Sequence, residues 1–399
     1  MLSIFRARRI RVVLVLWLVV LPHLGGTRLW AVEDFVLDGV YEAAIDLPRI
    51  YFLLTRRPTD PPLRHKGRFE LNYAFLDTGA SGIVVSRETV DTMGLRVHSK
   101  AKYVDVGIGG EEYFDVTEPL YIGLTGYESK DPYNPRLYSV IGPGRFQVKK
   151  SRALLLAEPL DVVGMPVMAG QIVVLNSAAT NSLEYFAADI RPPSDPRIPK
   201  VDFNIALRFE KFFHSRNPKN IPPLPSMALN PVIDKITIHN NGKESRGNWL
   251  FDTGATISLI STAQAARLGL TDRDGKPLVR PDFSLPLGGI GKMINVPGFE
   301  VDALVLGTVS GFDLVFRNAR IGVHDIRYFD EDKGKFAVLD GVFASNFLCA
   351  SARMEGLFPV DISKTVFDKI VIDMRKGLLG FVVSDNYTLK GNKFPRLGL

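Results

Sequence analysis

The sequence predicts an all-β protein made of two homologous β-rich lobes around a central cleft, with few short helices. Three observations predict it. From about residue 50 the chain runs in short apolar stretches, among them IYFLL, ELNYAFL, GIVVS, PLYIGL and QIVVL, broken by Gly, Pro, Asn and Asp. That is the rhythm of strands and turns, and long helical periodicity is scarce. Next, the stretch FLDTGAS around Asp77 recurs as LFDTGAT around Asp252. One constant offset pairs Thr78 with Thr253, Gly79 with Gly254, Ala80 with Ala255, Ser81 with Thr256 and Ser86 with Ser261, and it also pairs Gly94-Leu95 with Gly269-Leu270, without a gap. Finally, HSRNPKNIPPLPSMALNP at 214–231 carries Pro218, Pro222, Pro223, Pro225 and Pro231 between the two copies. Prolines at that density oppose both helix and central strand, so a linker is expected where the lobes should divide.

Residues 1–31 read as an export signal. The basic RARRIR precedes the apolar run VVLVLWLVVL at 12–21, which Pro22 closes. The run is about half the roughly 20 residues a membrane span needs. An uncleaved N-terminal anchor is the competing reading, and no other membrane contact is expected. An exported protein, periplasmic or extracellular, follows. Five arginines and no acid lie in this segment, so most of the net charge of +6 belongs to it. The remainder is near neutral, and nothing in it asks for nucleic acid. Cys349 is the single cysteine, which excludes an intrachain disulfide and a cysteine-based zinc site. The six histidines are scattered without ligand spacing, so neither metal nor cofactor is expected. Asn386-Tyr387-Thr388 has the spacing of a glycosylation acceptor.

The expected domains are an extension at 32–49, a first lobe at 50–213 holding Asp77, the linker at 214–231 and a second lobe at 232–399 holding Asp252. In each copy a strand-like run, GIVVS or ISLIS, is followed by a short helix, RETVDTM or TAQAARL, which a glycine ends. Ser261 and Gln264 have capping-box spacing. The echo continues: VDVGIGGEEYFDVTEPLYIGL at 104–124 parallels SLPLGGIGKMINVPGFEVDALVLG at 284–307, and DVVGMPVMAG at 161–170 parallels DGVFASNFL at 340–348. Segment 125–160 has no partner in the repeat. GGIGKM at 288–293 lacks the first glycine and the Ser/Thr of a phosphate loop and reads as a turn.

The repeat has a chemical consequence. Two copies related by a pseudo-twofold bring equivalent loops together at the axis, so Asp77 and Asp252 should face each other. Carboxyls at that range share a proton and titrate as a pair. The ionised member can act as general base on a water, and the protonated member can donate to a peptide carbonyl. Gly79 and Gly254 permit a tight turn and a close backbone approach. Thr78 and Thr253 could lock the loops across the axis, and Ser81 and Thr256 are expected to donate to the outer carboxylate oxygens.

These motifs resemble the two-lobed aspartic proteases of the pepsin-like and retropepsin-like superfamily, over about residues 50–385. The resemblance implies a pepsin-like or tandem retropepsin-like acid protease fold and a peptide hydrolase acting as an endopeptidase, with Asp77 and Asp252 catalytic. It also implies a polypeptide substrate, and a monomer is expected. A hydrophobic-hydrophobic-glycine element beside each catalytic loop is matched by Val162-Val163-Gly164, with Val140-Ile141-Gly142 competing. In the second copy Val342-Phe343-Ala344 puts alanine where glycine is expected. The substrate-covering flap is assigned to the 107–114 hairpin, with Gly107, Gly109, Gly110 and Tyr113 as its candidates and Tyr103 a weaker tyrosine. Gly288–Gly291 is a second flap-like hairpin. Ala80 and Ala255 stand where pepsins carry hydroxyls, which implies a mildly acidic to neutral optimum. The alternative is a duplicated binding or structural protein that keeps the fold without turnover.

Overall fold

The computed structural model describes residues 33–38, 47–63, 71–150, 161–176, 186–331, 333–348 and 366–385. The export signal, Cys349 and the 386–388 acceptor lie outside them. The fold is all-β: among the described residues the strands form one fourteen-stranded sheet, one nine-stranded sheet and a two-stranded ribbon, with only short helices.

The repeat seen in sequence is also a repeat of strand pairing. Strand Asn72–Leu76 delivers Asp77 at its C-terminal end. Val162–Val163 lies parallel to it, Val162 beside Phe75 and Val163 beside Leu76, and also runs antiparallel to Val84–Val85. Strand Lys243–Asp252 delivers the second aspartate. Gly341–Ala344 lies parallel to it, Val342 beside Leu250 and Phe343 beside Phe251, and runs antiparallel to Leu259–Ile260. Alternation explains the inner faces: in Arg49–Thr55, Ile50, Phe52 and Leu54 point into the core while Arg49, Tyr51 and Leu53 are half-buried.

The two expected helices form at Arg87–Met93 and Thr262–Leu268. Ser86 and Ser261 cap them by accepting from the backbone N–H three residues on, and Gly94 (φ 64°) and Gly269 (φ 75°) end them in the left-handed region. The capping box at Ser261 is only half made. The Gln264 amide instead donates to the Arg246 carbonyl at 3.1 Å and accepts from Ser245, because that side chain is buried against the neighbouring strand.

Sheet membership departs from the linear division of the chain. Phe35–Asp38, inside the expected extension, pairs in parallel with Asp313–Val323 in the nine-stranded sheet. Phe367–Asp373 and Leu378–Val383, counted with the second lobe, lie in the fourteen-stranded sheet. There they pair with Ile172–Asn176 and Phe203–Ala206. The linker is irregular over most of its length, yet strand Asn230–Asn240 begins inside it, and Ile221 bridges to Lys102. Pairing partners are chosen by which edges and apolar faces meet in space, so the sequence repeat, confined to the aspartate units, carried no sign of these crossings.

An aromatic cluster fastens the crossing. Phe35 meets Phe203 edge-on at 6.0 Å and Phe367 at 6.4 Å, and Phe203 stacks on Phe381 at 4.9 Å. Phe35 is fully buried. Phe35→Ala should therefore cost about 3–5 kcal/mol of unfolding free energy, measured from the denaturation midpoint at unchanged slope.

Candidate active site

The two Asp-Thr-Gly loops meet and exchange hydrogen bonds symmetrically. The Thr78 N–H donates to Thr253 Oγ1 at 3.1 Å, and the Thr253 N–H donates to Thr78 Oγ1 at 3.0 Å. Each hydroxyl then donates across the junction, Thr78 to the Phe251 carbonyl and Thr253 to the Leu76 carbonyl, both at 2.7 Å. Both threonines are 0% exposed, so each of these groups depends on the opposite loop for its partner.

The carboxyls of Asp77 and Asp252 are hydrogen-bonded to each other on this platform. Each glycine packs against the opposite aspartate. A Cβ on Gly79 would lie 2.4 Å from Asp252 Cγ, and one on Gly254 would lie 2.3 Å from Asp77 Cγ. A side chain at either position would drive the acids apart. Backbone N–H groups steady the carboxyls: Ala80 donates to Asp77 Oδ1 at 2.9 Å, and Gly254 donates to Asp252 Oδ1 at 2.8 Å.

Burial raises both acids above the usual carboxylate range. For Asp77, desolvation outweighs the hydrogen bonds from Asp252 and the Ala80 and Gly79 backbone. Asp252 is raised much further, by burial first and then by the Asp77 charge. The two carboxyls therefore share one proton and titrate as a pair. The folded pair holds protons to a higher pH than the unfolded chain, so its contribution to stability falls as pH rises above the ordinary carboxylate range.

A cavity of about 430 Å³ opens over the pair. Its wall is largely apolar, with Val106, Ile108, Phe212, Leu287, Ile290 and Val342 among the lining residues. Two hairpin tips roof it. Val97–Gly107 and Gly110–Thr117 close a hairpin at Gly107 and Gly110, while Phe283–Leu287 and Ile294–Gly307 form the second. The tips join through the Gly109 N–H to the Ile290 carbonyl at 2.9 Å and the Lys292 N–H to the Gly109 carbonyl at 3.2 Å. The Gly291 N–H donates to Glu112 Oε2 at 3.0 Å. A Cβ on Gly109 would stand 2.1 Å from the Lys292 backbone, so the contact requires glycine there. His324 Nε2 donates to the Ile108 carbonyl at 2.9 Å and steadies the first tip.

Several expected roles move to other residues. The Ser81 hydroxyl donates to Asn230 Oδ1 at 2.5 Å rather than to Asp77. Thr256 lines the cavity without a hydrogen bond to Asp252. Gly107 lines the cavity, whereas Gly109 and Gly110 make the turn beyond it. Tyr113 is 41% exposed and is not part of the cavity wall, because strand alternation turns it outward. Tyr103 is buried against the His214 ring. Val162-Val163-Gly164 lies beside the first loop, and Val140–Gly142 belongs to the distant strand Ser139–Gly144. Ala344 is fully buried in the place of the expected glycine. Its N–H donates to Ser258 Oγ at 2.9 Å, and Ser258 in turn holds Asn346, a network that accommodates the methyl. At Gly164 a Cβ would strike the Gly82 carbonyl at 2.0 Å, so there glycine is obligatory.

Asn230 was missed from sequence. Its amide donates to the Thr78 and Gly79 carbonyls, both at 2.9 Å, and so braces the first loop from behind. Its only sequence sign is an Asn-Pro step closing a proline-rich stretch, which reads as a turn. Asp105 was also missed, because a lone acid inside a strand-like run carries no pattern; it lines the cavity. Among the described residues no three His, Cys, Asp or Glu side chains converge as a metal-ligand set.

Two outcomes follow from this platform. Thr78→Val strands the Thr253 N–H and the Phe251 carbonyl in a dry interior, about 1–3 kcal/mol for each group, and chemical denaturation should register the loss. Asp252→Asn removes the second ionisation, so its melting temperature should gain on the wild type between about pH 4 and pH 7, with no gain near pH 3. A constant difference across that range would contradict the shared proton.

Residues 235–322 match the family model described as "Aspartyl protease". That segment, with Asp252 in it, is an aspartic-protease-like domain. No curated protein matches the chain. Among solved structures it is similar to one titled "Crystal structure of edgp", at 9% identity and a TM-score of 0.42, covering 86% of this chain and 96% of that one.

Proposed function

We propose that the protein is an aspartic endopeptidase that hydrolyses peptide bonds with a water activated between Asp77 and Asp252. The observation that carries this reading is the hydrogen-bonded pair of half-buried carboxyls on a cross-locked platform beneath a roofed cavity. The aspartyl protease match over residues 235–322 supports it for the half that holds Asp252. The pairing of strands around each aspartate supports a two-lobed, internally duplicated molecule of pepsin-like or tandem retropepsin-like kind.

A pair that shares one proton can act as base and acid at once, here with the proton placed on Asp252. A water seated between the carboxyls loses a proton to Asp77 as its oxygen attacks the peptide carbonyl carbon. Asp252 gives its proton to the carbonyl oxygen, which yields a neutral tetrahedral diol. Asp77 then protonates the amide nitrogen, the C–N bond breaks, and a diol hydroxyl returns its proton to Asp252. The linked hairpin tips must part to admit an extended peptide. Their closure keeps bulk water from the pair and strengthens its electrostatics. Residues 1–31 direct export in this reading, and the enzyme works as a monomer.

The optimum lies in the mildly acidic to neutral range, since both carboxyls are raised and Ala80 and Ala255 offer no hydroxyl to stabilise the ionised forms. Purified protein should cleave members of a peptide library in that range and be blocked by pepstatin or a statine peptide of similar shape. Asp77→Asn should lower kcat by about 10²–10⁴-fold while the fold is retained. A profile peaking below about pH 3 would count against the optimum. An absence of cleavage across the range would favour the binding or structural protein instead.

A further inference from the structure

We propose that Asp105 makes the cleft selective for a basic side chain, lysine or arginine, at a residue flanking the scissile bond. The inference rests on the protease reading and names the substrate class of the same site. Asp105 lies on strand Val97–Gly107, just before the first hairpin tip, and lines the cavity that holds Asp77 and Asp252.

Its carboxylate has no cationic partner among the described residues. Oδ2 accepts from the Gln147 amide at 3.0 Å, and Oδ1 accepts from the Val106 N–H at 2.9 Å, both neutral donors. The base whose charge bears on it is His214, and burial pushes the pKa of that ring down. Burial pushes the Asp105 carboxyl up, ahead of the lowering by the Gln147 and Val106 hydrogen bonds and by the His214 ring. Two oxygens offer about four acceptor sites, of which two are used.

The surroundings fit the rest of a basic side chain. Val106, Ile108 and Ile290 give the same cavity apolar lining. A lysine or arginine stem can lie along that lining while its head reaches the acid, the usual division for these amphipathic chains. A substrate cation would add a charge-assisted hydrogen bond and neutralise an acid that is otherwise costly to keep ionised in the closed cleft. An amide at position 105 keeps one oxygen to accept from Gln147 and turns its NH2 towards the Val106 N–H, so Asp105→Asn removes the charge at the cost of that one local bond.

The test uses the full chain and matched fluorogenic peptides with Lys, Arg, norleucine or Glu at each residue flanking the bond. Lys and Arg peptides should exceed the norleucine peptide in kcat/KM by about 10- to 100-fold at one of those positions, the range of a hydrogen bond to a charged group. In Asp105→Asn that ratio should fall towards one. A wild type that favours norleucine, or a preference that survives Asp105→Asn, overturns the proposal. A parallel measurement on the wild type needs neither turnover nor a variant: calorimetric binding of statine peptides carrying Lys or norleucine. Tighter binding of the Lys form without cleavage of any peptide upholds the role of Asp105 and removes the protease reading. Equal binding of the two forms removes the role of Asp105.

Discussion

Two acids held against each other on the floor of a largely apolar cavity must either separate, ionise at a cost, or share a proton, and here they share it. Everything near Asp77 and Asp252 serves to hold them in that state. The reciprocal threonine bonds make each loop the hydrogen-bond partner of the other, so neither can relax away without stranding buried groups. The opposed glycines let the loops approach until each touches the other's carboxyl. The pair thus stores an electrostatic cost that the surrounding packing offsets.

The two copies reach the same geometry by unequal means. Asn230 braces the first loop through the Thr78 and Gly79 carbonyls and the Ser81 hydroxyl. The second loop rests on Ser258 and Asn346, with Ala344 in place of a glycine. The chain ends reinforce the arrangement by crossing between the sheets, Phe35–Asp38 one way and Phe367–Val383 the other. A strand given to the opposite sheet ties the halves through a continuous hydrogen-bonded ladder and a shared aromatic core, which resists the sliding that would misalign the carboxyls.

The cavity adds an asymmetry that the symmetric floor does not have. Its roof is made by two different hairpins, joined at Gly109 and Gly291, and the first brings Asp105 into the cavity wall. Under the proposed protease reading, the strands that differ between the copies set recognition and the loops that match set bond cleavage.

Local pattern was enough for much of this molecule. The alternating apolar runs, the paired Asp-Thr-Gly loops, the serine-capped helices ended by Gly94 and Gly269, and the hairpin at 107–114 all depend on residues close together in sequence, where period, capping and turn chemistry act directly. What depended on distant partners was decided only in the fold. The hydroxyl of Ser81 turned to Asn230, Tyr113 faced outward, the terminal strands exchanged sheets, and Asp105 entered the cleft. None of these has a local signature, because each is settled by which surfaces meet once the sheets pack. The sequence determined that two acids would sit at equivalent points of a duplicated β unit. Only the tertiary structure decided that they touch, since a shared proton requires a separation that backbone packing across the whole molecule sets.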